Sequence, residues 1–145
     1  MFKLYLKIIS TFLILDHDVL LIGTGGERTN PFAGMQIVSL SNLSNNSKCV
    51  SAPPYPIAIS GASSVVLRRR VIICGGQTND GTALTKCYQL KRQNSWIFDG
   101  NLELRKPRAF SASLILKSPS TDRSGWWITG GRDGHNAILG NTEYV

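Results

Sequence analysis

Val71-Ile72-Ile73-Cys74-Gly75-Gly76 decides the reading of this chain. Branched apolar residues in a short run suit a buried, pleated strand. The two glycines that stop it permit a sharp reversal, because glycine takes positive φ without a Cβ clash. The phrase occurs twice more, as Leu20-Leu21-Ile22-Gly23-Thr24-Gly25-Gly26 and as Trp126-Trp127-Ile128-Thr129-Gly130-Gly131. The pairs begin at 25, 75 and 130, steps of 50 and 55 residues. Recurrence at that period predicts an array of equivalent units.

Outward from the middle phrase a whole unit is visible. Residues 57–67 read as a strand with Gly61-Ala62-Ser63 at its centre, and Arg68-Arg69-Arg70 as a solvent-facing turn. Cys87 to Leu90 reads as a third strand, Ser95 to Phe98 as a fourth, and Asp99-Gly100-Asn101 as the close. Asn79-Asp80-Gly81 marks a turn between the second and third strands. The next unit repeats this order. Residues 108–116 carry Ser111-Ala112-Ser113, 50 residues after the small triplet of the unit before, and Tyr144 stands near the place of Tyr88. A longer turn over 117–125 accounts for the 55-residue step. In the first unit residues 18–26 read as a strand ending at the glycines, 27–34 as a polar loop, 35–40 as a strand, and Cys49-Val50 as a short fourth. Ala52-Pro53-Pro54-Tyr55-Pro56 is a stiff connector whose prolines cannot donate to a ladder.

Four short antiparallel strands per unit describe a β-propeller blade. The apolar run, the diglycine (Gly75, Gly76), Tyr88 and Trp96 together resemble the kelch repeat family. Gly130 and Gly131 carry the pattern into the last unit, and Gly25 and Gly26 into the first, where Val38 replaces the tyrosine. The resemblance implies an all-β fold: a partial kelch-type β-propeller of four-stranded antiparallel blades. Residues 16–50 form an incomplete blade, 51–101 a complete one, and 102–145 a blade lacking its outer strand. Kelch propellers close with about six blades, so this arc leaves faces and edges bare and open to self-association. The count fits a fragment of a longer protein best; the alternatives are copies that assemble into a ring, or a partner that covers the ends.

The formal net charge is +7, but the basic residues are scattered and no aromatic-rich basic surface accompanies them, so no nucleic-acid partner is expected. Residues 1–15 place lysines ahead of a short apolar run, which fits either a signal peptide or a first strand. The run is too short to span a bilayer. Export would make the chain secreted and give meaning to the sequons at Asn42 and Asn45; the alternative is cytoplasmic. Cys74 and Cys87 flank one loop on neighbouring strands and can pair as a disulfide or lie buried as thiols. Cys49 is left over.

Nothing in the sequence assembles a catalytic set. His17 and His135 have no metal-ligand spacing, and the serines lack a nucleophile-elbow context. No cofactor, metal or enzymatic activity is expected. The resemblance implies a protein-interaction module whose loops after the diglycines, with connectors near Tyr55 and Arg105–Arg108, hold an unknown protein partner. Arg108, Arg132, Asp133 and His135 are the candidate contacts. The alternatives are part of a galactose-oxidase-like propeller enzyme, or the substrate-recognition part of a ubiquitin ligase adaptor.

Overall fold

The computed structural model describes residues 11–16, 19–27, 30–39, 50–68, 70–91, 95–117 and 124–145. Residues 1–10, His17, Cys49 and the two sequons lie outside the described residues. The chain is all-β, and the strands of the described residues form three antiparallel sheets. The first joins β1 (Thr11–Asp16), β2 (Val19–Glu27), β3 (Asn30–Ser39) and β4 (Val50–Ala52) in chain order. The second joins β5 (Ser63–Leu67), β6 (Arg70–Cys74), β7 (Lys86–Lys91) and β8 (Ser95–Glu103) in the same way. The third has β9 (Ala112–Lys117), β10 (Ser124–Thr129) and β11 (Thr142–Tyr144).

The unbroken apolar run of β6 has a physical cause: both of its faces are covered. Val71 and Ile73 are buried with Met35, Ala52, Tyr55 and Ile59 against the first sheet. Ile72 and Cys74, pointing the other way, are buried with Trp126, Ile128 and Leu104 against the third. A half-exposed strand would alternate with polar residues; one between two layers cannot. The sheets therefore stack face to face in chain order, with β1 beside β5 and β5 beside β9. Small residues occupy that inner seam, where the Ser63 and Ser111 hydroxyls meet at 2.9 Å. Cys74 and Cys87 are register partners and form a disulfide. Closing a loop of 13 residues, it stabilises the fold by about 3 kcal/mol on the chain-entropy account.

Tyr55 and Trp96 join the first two sheets. Tyr55 packs edge-on against Tyr88 and Trp96, with ring centroids 5.3 and 5.1 Å apart. Its hydroxyl donates to the Ile73 carbonyl (3.2 Å), and the Trp96 indole donates to the Pro53 carbonyl (3.0 Å). Burial, and secondarily the neighbouring Tyr88, pushes the Tyr55 phenol far above its ordinary range.

Four expectations need correction. First, β2 does not end at its diglycine. Gly25 and Gly26 pair with Phe32 and Pro31 inside a hairpin, so residues 27–34 are mostly strand rather than loop. Too few residues separate Gly26 from Asn30 to leave the ladder. At the other two sites the chain does turn out, with φ of 70° and 90° at Gly75 and Gly76 and 67° and 90° at Gly130 and Gly131. Second, the strands expected over 57–67 and 108–116 are broken. Gly61 (φ 67°) and Phe110 (φ 59°) kink them, leaving isolated bridges at Ile59, Ser60 and Ala109 before β5 and β9 begin. Those kinks are equivalent, so the inner strands repeat at 49 residues, not 50. Third, β8 runs on through Asp99–Asn101 to Glu103, past a bulge opposite Lys86–Tyr88.

Fourth, Tyr144 does not take the place of Tyr88. Tyr88 pairs with Ile73, two residues before its diglycine, and the residue paired two before Gly130, at Ile128, is Glu143. A one-residue offset reverses a strand side chain's face, so Glu143 points in and Tyr144 points out.

Candidate interaction rim

The turns after β6 and β10 lie on the same edge of their sheets. Each is tied back by a short ladder: Leu84 N–H to the Gly76 carbonyl (2.9 Å), and Leu139 N–H to the Gly131 carbonyl (2.9 Å). The tips close alike, with Thr78 N–H on the Thr82 carbonyl (3.0 Å) and Asp133 N–H on the Ala137 carbonyl (3.1 Å). An aspartate braces each tip. Asp80 Oδ1 accepts from the Thr78 hydroxyl and the Thr82 N–H. Asp133 Oδ1 accepts from the N–H groups of His135 (2.8 Å) and Ala137 (2.9 Å). The bond from Thr78, then that from Thr82, holds the Asp80 carboxyl below its usual range, so its brace persists at neutral pH and is lost only on acidification below that range. The two loops touch, since a Cβ on Gly134 would lie 3.4 Å from the Ala83 nitrogen.

The connector from β8 to β9 passes beneath this rim. Leu104 N–H donates to the Thr85 carbonyl (2.9 Å), Arg108 N–H to that of Leu84 (3.2 Å), and Gly76 N–H to that of Arg108 (2.9 Å). The Arg108 side chain turns inward. It is buried, ion-paired with Glu143, and donates to the carbonyls of Gly130 (2.9 Å) and Asn141 (3.3 Å) and to the Asn141 side chain (3.3 Å). Glu143 also accepts the backbone N–H groups of Arg105 (2.5 Å) and Lys106 (3.1 Å).

The expected contact residues therefore divide. Arg132 and His135 are exposed on the rim, and Asp133 stands among them as a loop brace. Arg108 is not a rim residue: its guanidinium is enclosed, because it occupies the register place that Ile59 holds in the unit before. Tyr55, at the other expected connector, is buried too. Glu143 and the exposed Ile138 escaped sequence reasoning. Ile138 pairs with Arg132 as Ala83 pairs with Gln77, a correspondence visible only once the diglycines are aligned. No group of three or more His, Cys, Asp or Glu residues able to hold a metal lies among the described residues, and no helix there is long and apolar enough to cross a membrane.

Neither family models nor curated proteins match this chain. Solved structures do. One, the structure of YjhT, superposes with a TM-score of 0.74 over 97% of this chain, at 14% sequence identity. The likeness is one of fold alone. The chain spans 43% of that structure's length.

Proposed function

We propose that this chain is a protein-interaction module of kelch-type repeats that holds its partner on the rim of loops 75–85 and 130–141. The observation that carries the reading is the pairing of two braced, touching loops that project side chains outward. Arg132, His135 and Ile138 are exposed there, and Arg105 and Lys106 are exposed on the connector beneath. A loop already tied by its own backbone bonds loses little freedom on binding, which favours affinity. Arg132, Arg105 and Lys106 present cations beside the apolar Ile138, while the Asp80 and Asp133 carboxylates are engaged by their own loop backbones, so the partner is a protein segment that is acidic and carries an apolar anchor. The Cys74–Cys87 disulfide supports placing the module in an oxidising compartment.

The test is selection from a displayed peptide library, followed by fluorescence anisotropy on the selected sequences. Acidic-apolar peptides are expected, with Kd raised about tenfold by Arg132→Ala or Ile138→Asp, about 1.4 kcal/mol. Arg70→Ala, remote from the rim, should leave Kd unchanged. Selected peptides that bind equally well to the rim variants would refute the reading.

A further inference from the structure

At the end opposite the loop rim, the described charges of the second and third sheets are all positive. Arg68 and Arg70 stand at the turn from β5 to β6, and Lys91 ends β7. Lys117 ends β9 on the third sheet. All four are exposed. Ser63 pairs with Cys74, one residue before its diglycine, and Ala112 with Thr129, one before its own. Lys117 therefore holds along β9 the place that Arg68 holds after β5. The two cations recur on neighbouring sheets, on the order of 10 Å apart, the usual spacing of packed sheets. Among the described residues of these two sheets every carboxylate lies elsewhere: Asp80 and Asp133 in the rim loops, Asp99 and Glu103 further along β8, and Glu143 buried on Arg108. Asp16 ends β1 on the first sheet, so the cationic stretch begins at the second.

Two of these placements work against the fold. Leu67 pairs with Arg70 across a two-residue turn. Such turns favour Asn-Gly, because the chain takes positive φ there. Arg68 instead occupies the left-handed region, at φ 51°. Val71 pairs with Leu90, so Arg70 and Lys91 stand side by side at the next position of the ladder, and like charges opposite one another destabilise a sheet. Residues that break a local rule cluster where function compensates for them. The ligand that clustered cations favour is a polyanion, whose condensed counterions they release.

We propose that this end of the second and third sheets binds a sulfated polysaccharide, with Arg68, Arg70, Lys91 and Lys117 pairing its sulfate groups. A guanidinium fork matches two oxygens of a tetrahedral oxyanion. Cations spread over two sheets suit an extended run of negative charges rather than one small anion. The Cys74–Cys87 disulfide favours an oxidising compartment. Nucleic acid and the anionic lipids of the cytoplasmic leaflet lie on the other side of the membrane, whereas sulfated polysaccharides lie on this one. The inference stands apart from the loop-rim reading, because the two surfaces sit at opposite ends of the strands.

The experiment titrates the chain into a fluorescently labelled heparin octasaccharide. Binding is expected, with log Kd rising linearly with log salt concentration, as counterion release requires. Arg68→Asn combined with Arg70→Thr should raise Kd about thirtyfold, the effect of removing two cations from an anionic surface. The same double variant should melt at a higher temperature, because asparagine accepts positive φ and threonine ends the repulsion of Lys91. Arg132→Ala, at the rim, should leave Kd for the octasaccharide unchanged. An equal loss for Arg132→Ala would mean that net charge alone binds the glycan, and would overturn the proposal. So would an unaltered Kd for the double variant, or a fall in its melting temperature, which would make the two arginines structural. Tighter binding to duplex DNA or to phosphatidylserine vesicles would overturn the choice of ligand.

Discussion

Glu143→Ala is expected to destabilise the fold by about 3–5 kcal/mol, measured as the loss of unfolding free energy in urea. The alanine strands the buried Arg108 guanidinium and also frees the N–H groups of Arg105 and Lys106, which the carboxylate now accepts. Arg108→Met should cost less. It leaves the carboxylate hydrogen-bonded by those two backbone donors, and it returns the site toward the Ile59 of the previous unit. The double change Arg108→Met with Glu143→Leu should cost less than the sum of the single changes, because apolar replacement of a whole buried pair is commonly near neutral. A loss below about 1 kcal/mol for Glu143→Ala would show that the pair is solvated.

Trp126→Ala is the second large effect, again about 3–5 kcal/mol. Trp126 is the largest fully buried side chain among the described residues and fills the layer between the second and third sheets beside Ile72, Val65 and the disulfide. Its indole nitrogen has no hydrogen-bond partner among the described residues, so the loss comes from packing rather than from a broken bond. Trp126→Phe, which removes that unpartnered N–H and keeps most of the ring, should cost under about 1.5 kcal/mol. A large loss for the phenylalanine variant would mean the indole nitrogen is engaged. Comparing Trp126→Ala with Trp127→Ala, one residue on and facing outward, tests the register: the second should change single-chain stability little.

What the sequence made legible, and what it hid, follows from how each signal arises. The run 71–74 was readable because burial on both faces removes polar residues from a strand, and the glycines at 75–76 and 130–131 were readable because the backbone needs positive φ there. The same logic misled at 25–26, where a short hairpin keeps the glycines in the ladder. Tyr144 misled because its spacing from the diglycine differs from that of Tyr88 by one residue, which reverses its face. Arg108 read as a surface cation because its partner, Glu143, lies 35 residues away and only the fold brings them together. Phe110 could not be recognised as the counterpart of Gly61, since a phenylalanine at φ 59° is sustained by its surroundings and not by its own preference. Of the rim, the loop positions and the exposure of Arg132 and His135 were legible; the contribution of Ile138 was not.

The stacking of successive sheets along the chain underlies each of these expectations, and the seam between β5 and β9 offers its most direct test. Ser63 opens β5 of the second sheet and Ser111 immediately precedes β9 of the third, yet their hydroxyls lie 2.9 Å apart. With Ser63→Cys and Ser111→Cys combined in one chain, mild oxidation of the folded protein should link positions 63 and 111 by a disulfide. Mass spectrometry of the digested chain would find that bridge beside the native Cys74–Cys87 one. Two free thiols at 63 and 111, under conditions that keep the native bridge intact, would contradict the stacked arrangement.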